Sequence, residues 1–289
     1  MQRFSAQEAD EIVRFLAKLD AAHLHAYVAA SQPINQRSNQ RPNQRTVAPM
    51  RLGRYAERLM HYFLLHNGSV FELIAANVPL RSDPASGSHT TLGEFDYLLR
   101  DAAGNYLHWE LAVKFYLYHP APHAAQPADF KGPAGKDTLA LKLDKMFGRQ
   151  LRHAPPAPYE ATEQRAWQPQ AYARGWKFYP LGDTKTMCGA LNTQHLRGWW
   201  AGIDSFAQSN QAAEAVWVHL PRLNWLSRYA CEDDSALMPH ADLVAYLRRL
   251  WAQGDARIQA SGQMVAQMQR VGEGWAEVAR GFVMPTPTL

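Results

Sequence analysis

Two alternating segments, 92–99 and 106–117, limit the possible folds of this chain more than any other part of its sequence. They are separated by Asp101-Ala102-Ala103-Gly104-Asn105, which suits a three-residue loop with Gly104 in the left-handed conformation. This loop predicts a β-hairpin in which the numbers of opposed residues sum to 206. Because side chains alternate between the two faces of a strand, the register also predicts which of them share a face.

Three acidic side chains are expected on one face of this hairpin. The register puts Asp96 opposite Glu110 and Glu94 opposite Ala112. Two carboxylates whose Cβ atoms are about 5 Å apart repel by roughly 3 kcal/mol at an effective dielectric of 20. A shared proton, or a hard cation such as Mg²⁺ or Mn²⁺, would relieve this repulsion. The opposite face is predicted to be core and carries Phe95, Tyr97, Leu99, Leu107, Trp109, Leu111, Val113, Phe115 and Leu117.

Two further side chains are expected on the carboxylate face. Lys114 lies two residues past Ala112 and diagonal to Glu94. Its amine can form a cross-strand ion pair, or it can stabilise charge beside a bound metal and phosphate. His108 can act in proton transfer, although a hydrogen-bonded structural histidine is the simpler interpretation.

The wider pattern predicts a mixed α/β core with the order helix, three strands, helix, strand. The segments are a helix at 52–66, a strand at 70–78, the two hairpin strands, a helix at 136–151 and a strand at 176–179. Prolines and glycines between 154 and 175 predict a loop there. Farther along the chain, we expect a strand at 215–220 and helices near 241–253 and 262–281.

Four regions are expected along the chain. Residues 1–30 form an N-terminal helical extension, and residues 31–50 form a flexible linker with a repeated Asn-Gln-Arg motif. Residues 51–182 form the α/β core. Residues 183–289 form an aromatic-rich C-terminal elaboration that packs on this core.

The predicted helix at 136–151 also carries a run of basic residues. Lys142, Lys145, Arg149 and Arg152 recur at spacings of three, four and three residues. Such a stripe can follow the phosphate backbone of a nucleic acid, or it can be an ordinary solvated helix face.

Composition excludes several classes of protein. The chain has 30 basic and 26 acidic residues, a net charge of +4, which permits an anionic partner without requiring one. Two cysteines cannot form a disulfide framework, so we expect reduced thiols and a cytoplasmic protein. No run of 18 uncharged apolar residues is present, so we expect no membrane-spanning helix and no membrane partner. Nucleotide-binding glycine motifs and a His-Glu-x-x-His motif are also missing.

Two strand motifs resemble those of the restriction-endonuclease-like, or PD-(D/E)XK, nuclease superfamily. Gly93-Glu94-Phe95-Asp96 is similar to its Gly-Glu-hydrophobic-Asp strand, and 109–114, Trp-Glu-Leu-Ala-Val-Lys, is similar to its Glu-x-Lys strand. The run from Leu52 to Lys114 also resembles a bacterial domain-of-unknown-function family. The resemblance implies a restriction-endonuclease-like core with helical N-terminal and mixed C-terminal elaborations.

The resemblance also implies roles for individual residues. Asp96 and Glu110 would bind Mg²⁺ or Mn²⁺ with help from Glu94, and Lys114 would position water or stabilise the transition state. Glu57 and Gln150 match auxiliary residues on the two helices of the superfamily. The expected activity is hydrolysis of phosphodiester bonds in nucleic acid, with DNA the expected form.

One departure from the superfamily pattern leaves the activity open. Three residues separate Glu110 from Lys114, and Ala112 stands where the superfamily has its acid. The acid has either migrated along one face or been lost. The alternatives to a nuclease are therefore a catalytically inactive nuclease-fold module that binds nucleic acid or a protein, and a structural network of the carboxylates with Lys114 and Arg54.

Overall fold

The computed structural model describes residues 51–66, 70–82, 90–209 and 215–285. The N-terminal extension at 1–30 and the linker at 31–50 lie outside the described residues. The chain divides into two compact units. The first contains the described residues up to Val113 together with Lys145–Ala173, and the second contains Lys114–Asp144 and the described residues from Arg174 onward. The boundaries of these units differ from those of the regions expected from sequence. Residues 114–144 and 174–182 were expected in the 51–182 core, but they belong to the second unit.

Strands predominate, and the described residues form a mixed α/β structure with two sheets, as the α/β prediction requires. The helices are α1 (Leu52–His66), α2 (Leu139–Leu143), α3 (Ile203–Gln208), α4 (His240–Gln253) and α5 (Ala256–Gln259). The strands are β1 (Phe71–Arg81), β2 (Thr91–Asp101), β3 (Tyr106–Val113), β4 (Tyr116–Tyr118), β5 (Phe130–Lys131), β6 (Trp167–Arg174), β7 (Lys177–Pro180), β8 (Arg197–Gly202), β9 (Val216–Leu220), β10 (Ala230–Cys231), β11 (Met238–Pro239), β12 (Gln263–Val271) and β13 (Gly274–Met284). Short 3₁₀ turns span Pro127–Asp129, Gln150–Arg152 and Arg222–Trp225, and a π-helix spans Asp144–Arg149.

The first unit has a four-stranded sheet in the order β1-β2-β3-β6 among the described residues. Helix α1 packs on one face of it through Met60, Phe63 and Leu64. These residues recur at helical spacing and bury an apolar stripe, which is why this segment forms a helix. Both the helix at 52–66 and the hairpin of β2 and β3 are confirmed.

The fourth strand of this sheet comes from a segment that was expected to be a loop. Strand β6 contains Pro169, and a strand at the edge of a sheet tolerates proline because it can leave an N–H group unpaired. Tyr172 stacks on Trp109 with ring centroids 5.7 Å apart, and the indole N–H of Trp109 donates to Gln170 at 2.9 Å. The strand predicted at 176–179 does exist as β7, but it belongs to the sheet of the second unit.

The second hairpin strand is shorter than expected. Instead of one strand from 106 to 117, β3 ends at Val113 and β4 enters the other sheet. The N–H of Lys114 donates to the carbonyl of Arg174, and that of Tyr116 donates to Trp176. Gly175 permits this approach, since a Cβ there would lie 1.9 Å from the carbonyl oxygen of Lys114.

The helix expected at 136–151 is α-helical over only five residues. Thr138 caps its start by accepting a hydrogen bond from the N–H of Leu141 at 3.2 Å. The π-helix and a 3₁₀ turn then follow. A π-helix bonds residue i to i+5, so side chains spaced at the α-helical period do not stay on one stripe.

The second unit has a sheet of nine strands among the described residues, in the order β11-β9-β12-β13-β8-β7-β4-β5, with β10 paired to β13. The strand at 215–220 and the helix near 241–253 are confirmed as β9 and α4. The helix expected at 262–281 is wrong, because these residues form the β12–β13 hairpin. Gly272, at φ +61°, forms its turn and breaks the helical pattern.

A membrane-spanning helix would have to be long and strongly apolar, and the part of the chain that the structure describes contains none.

Candidate functional site

The hairpin of the first unit has the register expected from its loop. Strands β2 and β3 pair Tyr97 with Trp109 and Leu99 with Leu107, and both pairs sum to 206. Gly104 has φ +87°, and the N–H of Asp101 donates to the carbonyl of Asn105 at 3.0 Å. The register predicted from the loop is therefore confirmed for residues 97–100 and 106–109, whereas the expected pairs of Asp96 with Glu110 and of Glu94 with Ala112 lie outside this ladder.

Asp96 lies just beyond the last paired residue of this ladder. Its Oδ2 accepts a hydrogen bond from the N–H of Leu111 at 2.7 Å. Burial, and next the negative charge of Glu110, raise the pKa of Asp96 to about 7, and the charges of Glu57 and Glu94 add to the effect. The negative charge of Glu110 is thus close enough to oppose the ionisation of Asp96.

Glu110 is almost completely buried, with 1% of its surface exposed. His108 Nε2 lies 2.9 Å from its Oε1, and Gln150 Nε2 donates to its Oε2 at 2.5 Å. The ring of His108 packs against Phe95, with centroids 4.7 Å apart. Glu110 is therefore held by neutral or weakly basic partners rather than by a lysine or arginine.

Glu57 and Glu94 form the more exposed side of this acidic cluster. Arg54 contacts both carboxylates, at 2.9 Å to Glu57 and 3.9 Å to Glu94. The negative charge of Glu57 raises the pKa of the Arg54 guanidinium, and Glu94 and Asp96 add to this effect. Burial raises the pKa of Glu57, although Arg54 opposes this change. The pair of Arg54 with Glu57 is the surface contact that three-residue helix spacing favours.

The faces of β2 differ from the prediction near Asp96. Phe95 packs with Val78 and Leu98, whereas Tyr97 belongs to the apolar cluster under α1. Opposite this point in β1, Asn77 has φ +52°, between the pairs Ala76 with Tyr97 and Val78 with Phe95. The strict alternation that put Phe95 and Tyr97 on one face is therefore wrong, and the irregularity of Asn77 coincides with the change.

Lys114 does not continue the carboxylate face of β3, because that strand ends one residue earlier. It belongs to the second unit, where its Nζ donates to Asp137 Oδ2 at 2.8 Å. Both side chains are substantially exposed, at 45% and 39%. The prediction that Lys114 lies diagonal to Glu94 on an unbroken strand is corrected, while its catalytic role stays a prediction.

The basic residues expected on one helix stripe lie in three different kinds of helix. Lys142 is in α2, Lys145 and Arg149 are in the π-helix, and Arg152 is in the following 3₁₀ turn. Lys145, Arg149 and Arg152 are exposed, and Arg152 Nε donates to the carbonyl of Phe147. The regular stripe is not formed, and a role in nucleic-acid binding stays a prediction.

The structure brings together Asp96, Glu110, Glu57, Glu94 and Gln150 in the first unit. Arg54 also belongs to this cluster and was considered from sequence only as a partner of the carboxylates. Asn77 was missed entirely, although asparagine is one of the residues that tolerate a positive φ. Within the described ranges, no three His, Cys, Asp or Glu side chains are arranged so that they could hold a metal ion together.

Comparison with known proteins gives a family but no activity. No curated protein and no solved structure matches the chain significantly. A family described as "Domain of unknown function (DUF1853)" matches residues 2–284. Because this match covers nearly the whole chain, the protein belongs to the DUF1853 family.

Proposed function

We propose that this protein is a divalent-metal-dependent nuclease that hydrolyses phosphodiester bonds in DNA, with Asp96 and Glu110 as its metal ligands. The main supporting observation is the unfavourable charge of Asp96: burial, and next the negative charge of Glu110, raise its pKa to about 7. No lysine or arginine pairs with Glu110 among the described residues, and Glu57 and Glu94 add negative charge. A divalent cation is the ligand that such a cluster favours.

The element order of the first unit also supports this proposal. Helix α1, strands β1 to β3, a helical segment ending at Arg152 and strand β6 follow the order helix, three strands, helix, strand. Gln150, which the superfamily resemblance pointed to, donates to Glu110. A restriction-endonuclease-like core is therefore part of the proposal.

The donor chemistry fits Mg²⁺ or Mn²⁺. Both bind hard oxygen ligands and are often held by one or two carboxylates, with water and phosphate oxygens completing the shell. Each Glu110 oxygen accepts one hydrogen bond and keeps a further acceptor site. A bound metal would supply Lewis acidity and a more acidic water.

The protein's own groups hold this site in place. The N–H of Leu111 orients Asp96, while His108 and Gln150 orient Glu110 from its two sides. Glu94 and Glu57 were expected from the sequence as a third and an auxiliary ligand. Because no three such side chains of the described residues are arranged to hold a metal together, these two are proposed only to add negative charge beside Asp96. Lys114, as the group that positions water, and the basic residues Lys142, Lys145, Arg149 and Arg152, as a nucleic-acid contact, are carried over from the sequence interpretation.

The test is DNA nicking by the full chain in the presence of Mg²⁺ or Mn²⁺. We expect metal-dependent conversion of supercoiled plasmid, and a loss of at least about 100-fold in Asp96→Asn and in Glu110→Gln, because each variant lacks one ligand charge. Glu72→Gln, which removes an exposed carboxylate on β1, serves as the matched control and should cleave normally.

Circular dichroism of each variant shows whether its fold is kept. Metal-dependent nicking that persists at the wild-type rate in both site variants would refute the assignment, since the cleavage would then come from elsewhere.

A second candidate is a catalytically inactive nuclease-fold module that binds nucleic acid or a protein. Arg54 contacts both Glu57 and Glu94, and so already supplies a cation on the exposed side of the cluster. Ala112 in the usual acid position also favours this candidate. It predicts DNA binding that needs no metal and yields no cleaved product.

A further inference from the structure

A second group of polar side chains lies in the sheet of the second unit, and the proposed nuclease does not use it. Tyr116 of β4 is paired in register with Lys177 of β7. The Lys177 amine lies over the Tyr116 ring, 5.4 Å from its centroid. Neighbouring residues on paired strands present their side chains to the same face of a sheet. The two polar ends therefore belong to one local environment.

Both side chains are buried, and each lacks a hydrogen-bond partner within the described part of the chain. Lys177 retains 8% of its surface exposure, and Tyr116 retains 1%. The Tyr116 hydroxyl oxygen has no donor or acceptor within reach. The Lys177 amine makes a cation–π contact with the ring of Tyr116 instead of a hydrogen bond to a described residue. A buried hydroxyl without a partner costs free energy, and burial of the Lys177 side chain disfavours its charged form.

The groups around this pair already have partners of their own. Arg197, opposite Lys177 in β8, donates to the carbonyls of Thr186 and Asp183 and stacks on Tyr179 at 3.4 Å. His195 lies between the Tyr179 hydroxyl and the carbonyl of Asn192. These neighbours therefore have their hydrogen-bonding capacity in use.

The charges nearby leave an excess of positive charge. Asp137 is neutralised by Lys114 at 2.8 Å, and Arg197 is balanced by Asp183. Burial, and next the negative charge of Asp137, raise the pKa of the Tyr116 hydroxyl. The hydroxyl therefore stays protonated and can donate a hydrogen bond. Among the described residues, no carboxylate pairs with Lys177.

We propose that Lys177 and Tyr116 form a binding site for a small oxyanion of the phosphate type. An acceptor-only ligand with a negative charge would satisfy the ammonium and the hydroxyl together, whereas a neutral carbonyl would leave the charge unbalanced. Burial lowers the pKa of Lys177 to about 8, as expected for an amine without a counter-ion. This proposal is independent of the proposed nuclease activity.

The experiment is a titration of the full chain with inorganic phosphate at constant ionic strength, followed by NMR of ¹³C-labelled lysine side chains. The Lys177 ε-carbon signal, assigned by its loss in Lys177→Met, should shift and saturate. The affinity of each variant is measured by line broadening of the phosphate ³¹P signal, which does not depend on a lysine resonance. We expect phosphate to bind at least tenfold more weakly to Lys177→Met and about threefold more weakly to Tyr116→Phe. Acetate should bind more weakly than phosphate, and a nucleoside monophosphate that binds more tightly would identify an esterified phosphate as the ligand.

Lys136→Met removes an exposed lysine of the same unit and should leave phosphate binding unchanged. Replacing a buried, unpaired charge by an apolar side chain of similar length is expected to preserve folding. The proposal is overturned if the wild-type Lys177 signal does not respond to phosphate, if acetate binds equally well, or if Lys177→Met and Tyr116→Phe both keep the wild-type affinity.

Discussion

Among the described residues, each unit contains one buried glutamate, and the surroundings of the two are opposite in charge. Glu277 in β13 binds Arg280 through both of its oxygens and also accepts a hydrogen bond from the N–H of Tyr229 at 2.9 Å. Arg280 is completed by the carbonyls of Trp225 and Ser227. Glu110 in β3 has His108 and Gln150 instead, and a second carboxylate, Asp96, nearby.

The comparison separates a structural ion pair from a candidate site. A buried carboxylate whose charge and hydrogen bonds are satisfied within the protein has nothing left to offer a ligand. A buried carboxylate that faces another carboxylate is destabilised as long as both are ionised, and an added cation lowers this cost. Of these two glutamates, Glu110 is therefore the one that we propose as a metal ligand.

The largest effect on stability is expected when the buried ion pair of Arg280 with Glu277 is broken. Arg280→Met leaves the Glu277 charge buried and unpaired, which should lower the free energy of unfolding by about 3–5 kcal/mol. The double variant Arg280→Met with Glu277→Leu should recover much of this loss, because it removes both charges. Chemical denaturation measures both variants, and an equal loss in the single and double variants would contradict the comparison.

A smaller effect of opposite sign is expected at Asp96. Its pKa is raised to about 7 in the folded protein from an ordinary value of 3.8, so folding favours the protonated acid. The cost of ionising it is absent below about pH 4, grows as the pH rises and is complete above pH 7. Asp96→Asn should therefore stabilise the metal-free protein by at most about 4 kcal/mol at pH 8, where this cost is fully present.

The same variant should have no stabilising effect at pH 4, where the acid is protonated in both states. Denaturation curves at the two pH values give the difference directly. A stabilisation that is equal at both values would show that the Asp96 charge is not its cause.

Metal addition sharpens the comparison further. At ten times its dissociation constant, Mg²⁺ or Mn²⁺ should stabilise the wild-type protein by about 1.4 kcal/mol. The melting temperature of Glu110→Gln should barely respond, while Glu277→Gln, though less stable, should keep the full response. A thermal shift that is the same in the two variants would remove the distinction between the two glutamates.

The smallest effect is expected at the exposed pair of Lys114 with Asp137. Such a pair contributes about 0.2–1 kcal/mol, so Lys114→Ala and Asp137→Asn should each change stability by no more than this. If Lys114 acts as proposed, Lys114→Ala should nevertheless abolish nicking. Loss of activity together with a large loss of stability would instead indicate a structural role.

The parts of the fold that were predictable depend on local geometry. The loop around Gly104 determines the β2–β3 register, and the apolar stripe of α1 needs no information from distant residues. The failures have distant causes. Strand β6 has a weak pattern and forms against Trp109, and β3 ends because the chain at Lys114 pairs with the backbone around Gly175.

The candidate site follows the same division. Asp96 and Glu110 follow from alternation and register, since these depend on residues close along the chain. Gln150 and Glu110 are 40 residues apart in the chain. The resemblance to the nuclease superfamily pointed to Gln150, whereas the spacing of residues along the sequence did not. The loss of alternation that separates Phe95 from Tyr97 was not predicted, and it occurs where β1 has the positive φ of Asn77.

The amino-acid sequence alone determined that an acidic hairpin would form and in which register, because a short loop with one left-handed glycine leaves little freedom. Tertiary structure decided which partners those acids receive. Whether a buried carboxylate contacts an arginine, an amide or another acid depends on segments far apart in the chain. The free energy of its charge is determined by those contacts and by the loss of water, neither of which a local pattern contains.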